Sequence, residues 1–251
     1  TRCHEWLELH GGSRVIGPSE GNVEAVVCQA CHNPNLTSSG RTVDPVKLQA
    51  MATGTVGGSC GTGCTITAAS KAAAIQTIAE FGTDPLLFPE QPMNFKNIIH
   101  SIHSSGKRTR DFGFVRERGN SGAFAYNFKT NSGPDREGET VTYPGVLGNC
   151  RTCHANGTYD VDLPAGALPT TVRTTTGDAM ETRTQILDAR RGNALPNATD
   201  LVVSPIAAAC YACHDTGLAM AHMEQNGASI HVPRAQYESG MKVETCTICH
   251  G

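Results

Sequence analysis

A five-residue pattern of cysteine, two variable residues, cysteine and histidine constrains this chain more than any other feature. It occurs at Cys28 to His32, Cys150 to His154, Cys210 to His214 and Cys246 to His250, and the opening Cys3-His4 reads as a fifth copy without its first cysteine. One helical turn brings two cysteines so spaced onto the same side. Both sulfurs can then form thioethers to one porphyrin while the adjacent histidine binds its iron, which makes C-x-x-C-H the attachment site of c-type haem. Structural zinc also uses paired cysteines, but it does not call for histidine at the next position. Histidine is 10 of the 251 residues, so four such pairs would all be followed by one by chance about three times in a million. The pattern predicts five covalently attached haem c groups. Their thioethers come from Cys3, Cys28, Cys31, Cys150, Cys153, Cys210, Cys213, Cys246 and Cys249, and their proximal iron ligands are His4, His32, His154, His214 and His250.

The remaining histidines, His10, His100, His103, His222 and His231, equal the haems in number. A six-coordinate haem needs one distal ligand, and imidazole is a common choice. The count therefore predicts bis-histidine ligation throughout, with no iron left open. His100 and His103 share one helical face and can reach two different irons. His10 is too near His4 in sequence to take the opposite face of the same haem, so a neighbouring haem is its expected owner. His231, in a stretch flanked by Gly227 and Pro233, is the weakest of the five, and methionine at 220, 223 or 241 competes with it as a ligand.

A core built largely by porphyrins predicts a mostly α fold with extensive loops and few short strands, a multihaem cytochrome c fold organised around a haem stack. Residues 1–251 read as a single pentahaem domain, with a loop and helix insertion at 33–93 and a loop at 155–200. Leu7 and His10 are spaced to continue a helix from the first motif up to Gly11-Gly12. Ala72, Ile75, Ile78 and Ala79 form an apolar stripe on a helix over 67–81 ended by Gly82, and residues 123–128 alternate as a strand. Ser204 through Met223 reads as one helix carrying the fourth motif and His222. Cys60 and Cys64 have no following histidine and the wrong spacing for haem, and in an oxidising compartment they are expected to form a disulfide.

The net charge of −3, made more negative by haem propionates, argues against a nucleic-acid partner. The cations Lys107, Arg108, Arg110, Arg116 and Arg118 read as a solvated face, or as partners for propionates or an acidic protein. No apolar run reaches transmembrane length. With no leader and an opening inside a motif, the sequence reads as a processed or partial chain. Thioether attachment takes place outside the cytoplasmic membrane, so the expected compartment is periplasmic or extracellular.

Several longer matches carry a resemblance. C-H-x-x-x-x-x-H-G-G, C-x-x-C-H-N-P, F-K-x-x-I-H-x-I-H, Y-P-G-x-L-x-N-C-x-x-C-H and S-P-x-A-A-A-C-x-x-C-H-D with A-H-M-E-Q-N-G follow one another across nearly the whole chain. In this order they resemble one pentahaem domain of the outer-membrane decahaem cytochromes of metal-respiring bacteria. The resemblance implies distal ligation by His10, His100, His103 and His222, and electron transport to extracellular acceptors such as minerals, metal chelates, flavins or electrodes. It also implies other redox proteins or cytochromes as partners. The missing partner of Cys3, the Cys60–Cys64 insertion and the absence of the family's split β-barrel domains are departures from the pattern. Two other readings compete: a nitrite- or hydroxylamine-type reductase with one open haem beside His231, Arg234 and Tyr237, and a subunit of a polymeric cytochrome filament.

Overall fold

Leu7-Glu8-Leu9 alternates apolar and polar with the period of a strand, and a strand is what it forms. In the computed structural model, which describes residues 4, 7–9, 14–16, 25–129, 141, 143–154, 158–159, 163, 166–191, 196–240 and 243–250, Leu7–Leu9 (β1) pairs antiparallel with Arg14–Ile16 (β2). The helix expected after the first motif is therefore corrected to a hairpin. The two-residue period wins locally over the single i, i+3 spacing of Leu7 and His10. Cys3, His10 and Met241 lie outside the described residues.

The second motif rides on a short helix, Ala25–Cys31 (α1). After it comes a core that the motifs do not touch. Pro45–Thr53 (α2) starts at Asp44, whose carboxylate accepts from the amides of Val46 and Lys47, and Ala68–Phe81 (α3) starts with a capping box between Thr67 and Ser70. Phe95–His103 (α4) follows. Then Gly113–Glu117 (β3) and Ala123–Asn127 (β4) form an antiparallel hairpin in the register Val115 opposite Ala125. Val43, Leu48, Met51, Ile66, Ala74, Phe88, Val115 and Ala123 close a core between α2, α3 and the hairpin.

The buried face of α3 matches the stripe that periodicity selects only at Ile78, which packs partly buried on this core. Ala72, Ala79 and Ile75 are exposed, Ile75 by half, whereas Ser70, Ala73, Ala74 and Thr77 are buried. The reason is steric: small residues let the helix lie close on β4. Thr77 donates its hydroxyl to the carbonyl of Ala123 at 3.1 Å. A methyl on Gly122 would already touch the Cβ of Ser70 at 3.4 Å. Replacing the fully buried Ala74 with leucine is expected to overpack this seam and cost about 1–3 kcal/mol, read as a lower midpoint in urea unfolding.

Residues 155–200, expected to be loop, carry Thr170–Arg173 (β5) and Arg183–Arg191 (α5). β5 is an edge of a three-stranded antiparallel sheet with Leu201–Val203 (β6) at its centre. Pro205–Tyr211 (α6) and Gly217–Gln225 (α7) come next. The single helix expected from 204 to 223 is thus broken in two, because Thr216 restarts the chain by capping Ala219 through its hydroxyl. Ile230–Pro233 (β7) completes the sheet, and Arg234–Ser239 (α8) and Thr247–His250 (α9) finish the chain. Val172, Val203, Ala207, Ala208, Met223 and Ile230 pack between this sheet and α6 and α7. The architecture is helical with a few short antiparallel strands and long loops. No helix among the described residues is long and apolar enough to cross a membrane.

Candidate functional site

All four complete motifs close the same turn. The histidine amide donates to the carbonyl of the first cysteine in each: His32 to Cys28 at 2.8 Å, His154 to Cys150 at 2.9 Å, His214 to Cys210 at 2.8 Å and His250 to Cys246 at 3.0 Å. The turn sets both sulfurs and the imidazole in a repeated relation, whether its surroundings are α-helix, as in α1 and α9, or a 3-10 turn, as at Cys150–Thr152. None of the eight cysteines of these motifs is in a disulfide; Cys31, Cys153 and Cys249 are exposed and the rest half-buried. Burial pushes the Cys210 thiol up to about 11, helped by Cys246 and Glu244, so the fourth and fifth motifs are close neighbours.

α4 is the element on which the site is built, and it presents three faces. Ile98 and Ile102 pack on the aromatic cluster of Phe112 and Phe128. Asn97 and Ser101 are buried, with Asn97 donating to the carbonyl of Ala208 on α6 at 2.8 Å. His100 and His103 stand on the third face. The start of α4 docks on the second motif: the amide of Phe95 donates to the carbonyl of His32 at 2.9 Å, and Nδ1 of His32 donates to the carbonyl of Met93 at 2.8 Å. Nδ1 of His103 likewise donates to the carbonyl of Ile99 at 2.7 Å. A carbonyl only accepts, so both rings carry hydrogen on Nδ1, and Nε2 is the nitrogen left to bind a metal.

The structure brings three motif histidines against three non-motif ones. Ring centres lie 6.1 Å apart for His4 and His103, 6.1 Å for His100 and His154, and 6.3 Å for His222 and His250. Two imidazoles on opposite sides of one metal ion, each with a bond of about 2.0 Å and a ring centre about 1.1 Å behind its nitrogen, place their centres roughly 6.2 Å apart. Among the described residues no three His, Cys, Asp or Glu side chains converge as a site for a bare metal ion. Histidines that meet in twos suit an ion whose other ligands come from a macrocycle. Exposed apolar side chains also flank the His222–His250 pair in sequence: Leu218, 85 % exposed, one turn before His222, and Ile248, 80 % exposed, inside the last motif. They are the contacts that a porphyrin plate would cover. The residues present therefore fit haem. Burial holds the His100 imidazole at about 4, with the charges of His154, Lys96 and His103 acting in the same direction, so at neutral pH its lone pair is free of a proton.

His222 meets the last motif because the chain between them is pinned. Gly227, at φ +90°, lets the Val243 carbonyl pass where a Cβ would lie 2.1 Å from its oxygen. Thr245 then donates its amide to Asn226 at 3.0 Å. Glu244 accepts from the amides of Ile206 and Ala207 and the hydroxyl of Ser204, which caps α6 and ties the fifth motif to the fourth.

His231 lies in β7, not in the loop expected of it. It is the one residue other than glycine with positive φ, at 55°, among those described. The register with β6 shifts there, Val202 facing Val232 and Val203 facing Ile230. This is a β-bulge that turns one side chain out of the ladder, and the ring of His231 meets Tyr211 of the fourth motif at 5.4 Å. Arg234 is 3 % exposed and donates to Asn35 and Thr171, so it holds the fold together instead of facing a substrate. The basic run is likewise not one solvated face. Arg108 is buried against Asp215 and donates to Ser101 and Ala212. Arg118 lies over the ring of Phe124. Cys60 and Cys64, both buried, are joined by a disulfide with Cα atoms 5.1 Å apart.

Sequence reasoning passed over Asn97, Asp215 and Glu244. The signal for Asp215 was its place directly after His214; that for Glu244 was its place two residues before Cys246. No curated protein and no solved structure matches the chain. A family model described as outer membrane cytochrome MtrC/MtrF-like, domains II/IV, matches it from residue 1 to residue 251. With that match over its whole length, and motif turns and histidine pairs that suit haem, the chain belongs to the outer membrane cytochrome MtrC/MtrF-like family, domains II/IV.

Proposed function

We propose that the chain is a pentahaem electron relay in which every iron is held by two histidines, passing single electrons outward to extracellular acceptors such as metal oxides, metal chelates, flavins or electrodes. As a member of an outer membrane cytochrome family it is an electron-transport protein of the outer-membrane surface. The observation that carries the relay reading is the three histidine pairs at 6.1, 6.1 and 6.3 Å. Haem bound there supplies one-electron cycling between ferric and ferrous iron. The protein's part would be to supply two imidazoles to each iron and to orient rings by their second nitrogen, as the carbonyls of Met93 and Ile99 do for His32 and His103. His32 and His214 remain as proximal ligands, and His10 and His231 as the distal ligands that complete the set. Cys3 and the eight described motif cysteines hold the porphyrins by thioethers, and residues 1–251 act as one unit. Partner cytochromes deliver the electrons.

Low-temperature electron paramagnetic resonance of the oxidised holoprotein, scaled against a haem assay, is expected to show five haems, all low-spin. A high-spin signal from about one iron in five would mean an open site, with His231 the first suspect, and would turn the reading toward a reductase.

A further inference from the structure

α4 leaves two polar atoms unmatched. Asn97 is 3 % exposed, and its amide NH2 donates to the carbonyl of Ala208 at 2.8 Å. Because that carbonyl accepts only, the contact fixes which end of the amide is oxygen. Oδ1 of Asn97 is then buried without a donor, and Nδ1 of His100, one turn further on, is buried without an acceptor. His32 and His103 satisfy the same ring atom with the carbonyls of Met93 and Ile99. Nδ1 of His100 meets no such carbonyl. Leaving a buried donor or acceptor unpaired is costly. Residues three apart on a helix are neighbours, with Cβ atoms about 5–6 Å apart, which one water can bridge.

We propose that Asn97 is the positioning residue of His100: its Oδ1 accepts the Nδ1 hydrogen through one bridging water, and so aims Nε2 at the iron shared with His154. The inference rests on the bis-histidine reading of that pair. It predicts a tuning role as well as an orienting one. An imidazole that donates through Nδ1 is a more basic ligand, which favours ferric iron and keeps the potential of that one haem low. The amide is neutral and shielded, so its pull is constant across the working pH range. Glutamate or aspartate there would bring a charge that could gain a proton.

The test is a potentiometric titration of the holoprotein, followed by low-temperature electron paramagnetic resonance, for the wild type, Asn97→Leu, His100→Met and the double variant. Methionine ligates iron but has no ring hydrogen to donate, so the double-mutant cycle isolates the Asn97–His100 coupling. Asn97→Leu is expected to raise one of the five midpoints by about 59 mV, a tenfold shift toward ferrous iron, and to move nothing further when His100 is already methionine. An equal shift in both backgrounds would mean that Asn97 acts only through its bond to Ala208. That result, or no shift in either background, overturns the proposal. If His100→Met leaves the wild-type low-spin signals unchanged, His100 is not a ligand and the relay reading of that pair falls first. A changed His100→Met spectrum with an unmoved Asn97→Leu potential overturns the Asn97 proposal alone.

Discussion

Replacing His100 with alanine is expected, on the relay reading, to turn one iron from low-spin to high-spin, a change visible as a new axial signal in electron paramagnetic resonance and as carbon monoxide binding after reduction. The expectation follows from His100 standing 6.1 Å from His154 with a buried, unprotonated ring. His103→Ala is expected to open a different iron, because His103 stands against His4. The double variant should therefore open two. His100→Met restores six-coordination at a higher potential, which separates loss of the ligand from loss of the fold. If His100→Ala and His103→Ala changed the same iron, the assignment of α4 to two haems would be wrong.

Replacing Asp215 with asparagine is expected to have the largest effect on stability. Its carboxylate accepts from the amides of Thr109 at 2.9 Å and Arg110 at 2.7 Å and faces the guanidinium of Arg108 at 3.5 Å, with both side chains buried. Removing the charge leaves Arg108 buried without its counter-ion, which costs about 3–5 kcal/mol. Burial raises the Asp215 carboxyl, but the two backbone donors and Arg108 outweigh it and hold the group below its usual value. A carboxylate with a lowered folded value stabilises the protein fully above the ordinary carboxylate range, near pH 3.9. That stability is lost as pH falls through the folded value. Asp215→Asn should accordingly lower the denaturant midpoint at neutral pH and flatten the acid limb below about pH 4. Chemical unfolding at several pH values reads both, and an unchanged neutral midpoint would remove the pair from the account.

The chemistry of this chain was legible because covalent attachment demands particular residues at a fixed spacing. That spacing singles out His32, His154, His214 and His250, and the strand at 123–128 and the helix ending at Gly82 were legible from short-range periodicity and a glycine with positive φ. What the sequence concealed was three-dimensional. Ile75 was read as packing and is half exposed, because α3 approaches β4 through Ser70, Ala74 and Thr77, and the closeness of two backbones has no signature in hydropathy. Residues 155–200 looked structureless because threonine, glycine and proline signal turns. β5 nevertheless forms because Thr170 and Thr171 find partners on β6, in Val203 and Val202. His231 seemed the poorest ligand on account of its loop-like flanks. The bulge that sets it against Tyr211 depends on how two strands register, and a single strand does not reveal that.

α4 lies between the second motif and the third in the chain, and this gives the haems an order of completion. A polypeptide exported from its N-terminus offers His4 long before His103, its partner at 6.1 Å, has emerged. His100 precedes His154 and His222 precedes His250. On the relay reading, the haems of His154 and His250 would find their second imidazole already delivered, whereas that of His4 would wait half-ligated while the intervening segment is made. That waiting iron is the point at which a wrong ligand, a stray methionine or a small anion, has its chance. On that reading, completion of the His4 site would be paced by the arrival of one nine-residue helix.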